Sequence, residues 1–324
     1  MDRVTWDLEN TDYAVDYLMK HDPAKPFFLS MGWFNTHRPY PKAGKEINSD
    51  FIQVPAILPD CDIVRKDMAD YMESVCVVDK CFGKIYEAIK KLGLLSNSII
   101  FFTTDHGIAF PQMKCNLFDS GIGVSLMFAY PDNKMKGHAV DSLVSHYDVF
   151  PTICDILGLN RPHWLCGTSF VEIMRGEKNE VRNEIFAEVT YHASYEPKRC
   201  IRTNRYKYIK CFYSQNIIPA NIDESPSKKY LIGNGFLDFE KKRELLFDTV
   251  LDPMERINLA DNPEYNDIKE SLSAKLHDWM KQTDDPLLIS NNIPKPVGAL
   301  VNKWSCVNPE MEDYILPDNS DYKY

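Results

Sequence analysis

Ser98-Ile-Ile-Phe-Phe-Thr-Thr-Asp-His-Gly107 is a short apolar run that ends abruptly in an acid, an imidazole and a glycine. A buried strand of an open α/β sheet delivers polar groups in this way to its carboxyl edge, where such sheets bind ligands. Asp105 and His106 are placed to hold a cation there, and Lys114, seven residues beyond Gly107, is within reach of a bound anion. Gly107 and Gly121 flank that segment, so a loop carrying the lysine back over the strand edge meets little steric resistance. Alone, Asp-His-Gly reads equally as an ordinary strand-ending turn, with a capping Asp and a surface His. Its weight comes from what surrounds it.

Upstream, Pro26 opens a second apolar run, residues 27–33, read as a central strand that ends at Asn35, Thr36, His37, Arg38 and Pro39. Between the two runs, Met68, Tyr71, Met72, Val75, Val78, Phe82, Ile85, Ile89 and Leu92 recur at helical spacing, and Gly93 closes the pattern. Residues 12–21 read as a shorter helix and 124–130 as a strand. Residues 148–157 read as a helix with Pro151 in its first turn and Gly158 after its end. This alternation predicts an α/β fold, with a mostly parallel central sheet flanked by helices. Past about residue 180 the texture changes to short strands at 185–190, 200–203 and 206–212, the last two joined by Asn204-Arg205. A long polar loop follows, then a strand at 244–248, a helix near 265–281 and a tail rich in Pro and Asn. The expected domains are therefore 1–180, an α/β core, and 181–324, a smaller C-terminal α+β subdomain with antiparallel strands, a helix and a wrapping tail.

The 324 residues are 44% hydrophobic and 12% aromatic, which suits a packed globule. Lys and Arg number 37 against 47 Asp and Glu, a net charge of −10. That excess discourages nonspecific binding to nucleic acid or acidic membranes, though not a local basic site for an anion. Neither a secretory leader nor an apolar run of about 18 residues is read, so no membrane span is expected. The nine cysteines form no Cys-x-x-Cys and cannot all pair within one chain. They read as mostly buried free thiols in a reducing setting, which favours a cytoplasmic location. Compartment and oligomeric state are otherwise unread.

If both strand ends face one crevice, a metal, a cationic side chain and an imidazole surround one anionic centre. That kit suits hydrolysis of a sulfate or phosphate ester: metal and lysine offset charge on the transferring group, and the imidazole protonates the leaving atom. Four blocks in order then resemble the sulfatase family of the alkaline phosphatase superfamily. They are Pro26-Phe-Phe-Leu with His37-Arg-Pro, Phe102-Thr-Thr-Asp-His-Gly with Lys114, Leu143-Val-Ser-His-Tyr-Asp-Val-Phe-Pro-Thr, and Leu246-Phe-Asp with Leu251-Asp-Pro-Met-Glu-Arg. The resemblance runs from about residue 12 to about residue 279. The segment Phe186-Ala-Glu-Val-Thr-Tyr-His192, with Arg199-Cys-Ile-Arg202, resembles the heparan N-sulfatase branch.

The resemblance implies that Asp105 and His106 are metal ligands, Lys114 contacts the sulfate and His37 stands by the leaving atom. The cation it implies is calcium, with manganese an alternative because imidazole is an unusual calcium ligand. Arg38, His192 and Arg199 are candidate substrate contacts. The run Arg199, Arg202, Arg205, Lys207 and Lys210 reads either as a solvated face or as a subsite for an anionic sugar. Sulfatases carry a formylglycine made in a Cys-x-Pro-Ser-Arg type motif, and an acidic pair near the N-terminus. Neither is present here: Cys166-Gly-Thr-Ser-Phe lacks the Pro and Arg, so no nucleophile is assigned. The expectation is the C-terminal portion of a sulfatase acting on sulfate esters or sulfamates of a small molecule or glycan, inactive in isolation, with formylglycine in a preceding segment. Alternatives are a phosphodiesterase or phosphonate hydrolase of the same superfamily, or a non-catalytic glycan-binding paralogue.

Overall fold

The computed structural model describes residues 2–213, 217–304 and 306–309, and the backbone of 314–315. In chain order the elements are α1 (Arg3–Lys20), α2 (Asp62–Lys91), β1 (Ile100–Thr103), α3 (Asp119–Ile122), β2 (Leu126–Ala129), α4 (Val149–Leu157) and α5 (Val171–Met174). There follow β3 (Glu184–Tyr191), β4 (Tyr195–Thr203), β5 (Tyr206–Cys211), α6 (Pro226–Gly233), β6 (Glu244–Asp248), α7 (Asn266–Gln282), β7 (Val301–Asn302) and β8 (Tyr314–Ile315). The chain forms two compact units that interleave in sequence. The first comprises Met1–Pro111, Val124–Pro131 and Asp223–Asn234; the second comprises Gln112–Gly123, Asp132–Ile222 and Gly235–Tyr324.

In the first unit, α1 begins well before residue 12, because the Asp2 carboxylate accepts the Thr5 N–H at 3.0 Å and caps it. Ala14 and Leu18 pack on Ile85, Ala88 and Ile89 of α2. The α2 helix ends as its spacing predicts: the Leu92 N–H bonds Ala88 O, and Gly93 takes φ 72°. Residues 27–33 alternate strictly between half-buried and exposed, the pattern of a strand with one covered face. Phe27, Leu29, Met31 and Trp33 pack against the α1–α2 core, yet no ladder partner is found for this run among the described residues.

β1 pairs with β2 in antiparallel register, Phe101 opposite Phe128 with their rings stacked at 5.7 Å. Every ladder among the described residues is antiparallel, so the parallel pairing expected from sequence is not what the ladders show. A parallel crossover is usually built on a helix of several turns. The connection from β1 to β2 holds only the single turn of α3.

The second unit is organised on a four-stranded meander, β3-β4-β5-β6. Period-two alternation sends Ile201, Tyr208 and Leu246 to the face that packs Leu272, Leu276 and Met280 of α7. Cys200, Ile209, Cys211 and Phe247 face the other way, onto Leu117, Phe118 and Ile122. The sheet is thus covered on both faces. α6 falls in what the sequence presented as a long polar loop. Ser225 caps it by accepting the Lys228 N–H at 3.0 Å, and Pro226 opens it. All nine cysteines are free thiols, and only Cys81, Cys154, Cys200 and Cys211 are buried, fewer than expected. No described helix is long and apolar enough to cross a membrane.

Leu276 is 1% exposed at the centre of the α7–sheet core. Leu276→Ala is expected to lose about 2–5 kcal/mol, read as a lower urea midpoint at unchanged slope. A loss below about 1 kcal/mol would mean that this core collapses around the deletion.

Candidate functional site

Asp105 and His106 stand just past the end of β1 and converge on one another. The Asp105 carboxylate is exposed, and its Oδ1 accepts the His106 N–H at 2.9 Å. His106 Nδ1 lies 2.7 Å from Gly107 O, and a carbonyl can only accept, so Nδ1 carries the proton. In the neutral ring the lone pair is on Nε2, which lies 3.5 Å from Asp105 Oδ2. A carbonyl that fixes a histidine tautomer is the usual outer support of a metal-ligating imidazole. The two donors therefore fit part of a divalent-cation ligand set. Among the described residues, no group of three or more His, Cys, Asp or Glu completes one.

The turn carrying His37 is anchored from α1 and α2. The buried Asp7 carboxylate accepts the Phe34 and Asn35 N–H groups at 2.8 and 2.9 Å and the Asn35 side-chain amide at 2.6 Å. Asn35 Oδ1 in turn accepts from Ser74 at 2.6 Å. Arg38 points inward: its Nη1 and Nη2 form a fork on Asp67 at 2.7 and 2.8 Å, and its Nε donates to Ala109 O at 2.7 Å. Its guanidinium lies over the Tyr40 and Phe110 rings, and Asp67 also accepts from Ser227 at 2.5 Å. Those bonds commit the guanidinium to the interior, so the expected substrate contact at Arg38 does not fit its surroundings. His37 is exposed; its Nδ1 lies 2.7 Å from Arg38 O and 3.1 Å from Arg3 Nη1, which can only donate. No hydrogen bond or ion pair joins His37 to Asp105 or His106 among the described residues.

Lys114 belongs to the second unit, where it is buried within the segment Gln112–Gly123. Asp119 further along that segment takes the Lys207 ammonium and, at 3.0 Å, the Arg202 guanidinium. Lys207 also meets Glu255 at 2.8 Å, and Glu255 accepts the Asp119 N–H. Burial would raise the Asp119 carboxyl, but Lys207 and Arg202 outweigh it and hold it below its ordinary value. Burial prevails at Glu255 and pushes it up. Arg199 is 2% exposed, with its Nε 2.6 Å from Asp285 and 3.1 Å from Glu188, and further donors on backbone oxygens. An anionic-sugar contact at Arg199 does not fit that burial either, since each of its nitrogens already has a protein acceptor. His192 is exposed beyond the β3 irregularity, its N–H bonded to Ser194 O at 3.2 Å. The partners Asp7, Asp67, Asp119 and Asp285 were not found by sequence reasoning, and only the Asp-x-x-Thr cap before α1 left a local signal.

The mixed α/β chain superposes on solved sulfatase structures, which places it in the alkaline phosphatase-like class of folds. Residues 4–159 match the family model described as Sulfatase, and residues 111–225 match N-sulphoglucosamine sulphohydrolase, C-terminal. The chain belongs to the sulfatase family of the alkaline phosphatase superfamily. An ulvan-active sulfatase of Formosa agariphila is 30% identical over 275 residues, covering 79% of this chain and 44% of its own. The N-sulphoglucosamine sulphohydrolase of Homo sapiens is 25% identical over 284 residues, covering 78% and 54%. A solved structure described in complex with its substrate D-glucosamine-2-N,6-O-disulfate superposes with a TM-score of 0.65. It covers 87% of this chain and 70% of that one at 17% identity, a likeness of fold. The chain spans about half the length of the curated relatives it matches.

The electrostatic tie at Asp119 has a definite pH signature. Its folded pKa lies below the unfolded value of about 3.9, so its contribution is full at neutral pH and lost as pH falls through the folded value. Glu255, with a raised pKa, changes in the opposite sense, losing its contribution as pH rises. Urea unfolding of the wild-type chain and Asp119→Asn is expected to show a stability gap at pH 7 that closes below about pH 4. A gap of constant size would mean that the tie is not ionic.

Proposed function

We propose that this chain contributes two metal donors, an acid and an anion-binding cation to a sulfatase centre acting on sulfate esters or sulfamates of a glycan. The convergence of Asp105 Oδ2 and His106 Nε2, with the ring set by Gly107 O, is the observation that carries the reading. Relatives described as acting on ulvan and as N-sulphoglucosamine sulphohydrolase support a sulfated sugar as substrate class.

In this reading a divalent cation, calcium or manganese, would be held partly by Asp105 and His106 and would offset charge on the sulfate oxygens. Lys114 is the candidate cation for the sulfate, acting as a point charge. His37 delivers a proton to the leaving oxygen or nitrogen. His192 stays a candidate sugar contact. No cysteine or serine of the chain stands in a formylglycine motif, so no step is assigned to that group.

Two consequences are measurable. With two donors, the chain is expected to bind calcium no more tightly than about millimolar, the weak end for oxygen-rich sites. A calorimetric titration showing micromolar affinity would require a fuller ligand set. The 324-residue chain is expected to give no turnover of an aryl sulfate or a glucosamine sulfamate, yet to bind inorganic sulfate about tenfold more tightly than Lys114→Ala does. Turnover by the chain alone would overturn the assignment of roles, and equal sulfate affinity in the two forms would remove Lys114 from it.

A further inference from the structure

We infer that Lys198 is a positioning residue for Lys114: its buried ammonium pins the backbone turn from which the Lys114 side chain projects. The inference rests on the reading of Lys114 as the sulfate-binding cation. Lys198 sits on β4, 3% exposed, and its Nζ donates to Cys115 O at 3.1 Å and to Asn116 Oδ1 at 2.9 Å. Those acceptors belong to the next two residues after Lys114. Glu196 Oε1, 3.2 Å from Nζ, supplies a counter-charge that it shares with Lys241.

The turn has reason to need such a pin. Gln112 and Cys115 hold φ of 66° and 65°, the left-handed region that side chains other than glycine adopt at a cost of about 1–2 kcal/mol. The Asn116 N–H closes on Met113 O at 3.0 Å. Gly121 then folds back so closely that a Cβ there would lie 2.4 Å from both Met113 O and Asn116 O. Strained backbone of this kind persists where its surroundings over-determine it. Leu117 in the sheet core and Asp119 on Lys207 fix the far half of the segment; Lys198 binds the half that bears Lys114. Burial pushes the Lys198 ammonium down to about 8, which leaves it charged at neutral pH. An apolar side chain of the same length would fill the space without the desolvation cost. What the ammonium adds is a fixed direction for one carbonyl and one amide oxygen.

The test is Lys198→Met in the full chain, with inorganic sulfate titrated by calorimetry and amide exchange followed by mass spectrometry. Sulfate affinity is expected to fall about fivefold or more, and the amides of residues 113–118 to exchange about tenfold faster while those of β5 and β6 keep their protection. Unchanged affinity and unchanged exchange at 113–118 would overturn the inference. So would faster exchange with unchanged affinity, which would make Lys198 merely structural. If the methionine variant loses the protection of β5 and β6, Asn116→Ala decides instead: it removes one acceptor from the loop side and is expected to shift both readouts in the same direction. Lys114→Ala separates the two readings. If it leaves sulfate affinity intact, or if the wild-type chain binds no sulfate, the role of Lys114 fails and this inference falls with it; if it weakens binding while Lys198→Met does not, only the positioning role fails.

Discussion

A charge taken out of water must be matched, and three cations buried in the second unit fix how its sheet is assembled. Lys198, Arg199 and Lys207 are each under 4% exposed, on β4 and β5. Each finds its counter-charge on a segment distant in sequence or on its own strand: Glu196, Asp285, and the pair Asp119 and Glu255. Removing one partner from such a buried pair typically costs about 3–5 kcal/mol, because the other is left uncompensated. The ties therefore act as addresses. They dictate which segment lies on which face of the meander, and the segment bearing Lys114 is one of those addressed.

Much of the architecture was legible because its causes are local. The apolar spacing of α2, the left-handed Gly93, the Asn204-Arg205 hairpin and the proline-opened α4 are each decided within a few residues. The misses have equally specific causes. The first turns of α1 carry Asp7, Glu9, Asn10 and Thr11, which dilute the apolar pattern, although Asp2 signals the cap. α6 has Ser225 and Pro226 as its start signal, but Lys228 and Lys229 hide the buried Leu231. Residues 27–33 show strand alternation without a ladder among the described residues, since alternation reports a covered face and says nothing of a neighbour in the hydrogen-bonding direction. The antiparallel strands past residue 180 were legible, but the direction of β2 against β1 was not; it depends on a connection whose helix content, one turn, the sequence did not reveal.

The site divides along the same line. Asp105 and His106 are adjacent in sequence, so a strand end suffices to bring their donors together, and the sequence shows them. The basic run from Arg199 to Lys210 has the composition of an anion subsite, but composition does not reveal which way a side chain faces. Arg199 lies 86 residues from Asp285, and Arg202 lies 83 from Asp119. At those separations no spacing rule predicts that a cation has already been matched. The two readings offered by sequence, solvated face or sugar subsite, both omitted a third, the buried tie.

Arg38 makes the same point in the first unit, and it explains why His37 is presented as it is. An arginine next to a candidate acid looks like a substrate clamp. Turned inward onto Asp67, it becomes instead one fixed end of a short turn whose other end, Asn35, is held by Asp7 and Ser74. With both flanking side chains buried, the intervening backbone has little freedom, and His37 is left exposed between them. Its Nδ1 lies between the Arg38 carbonyl at 2.7 Å and the Arg3 guanidinium at 3.1 Å, so the ring is held from that side. In the proposed role of general acid, a ring held in this way delivers its proton with little reorganisation at the moment of transfer. The inward arginine is thus part of the apparatus that aims the imidazole, without touching whatever the imidazole serves.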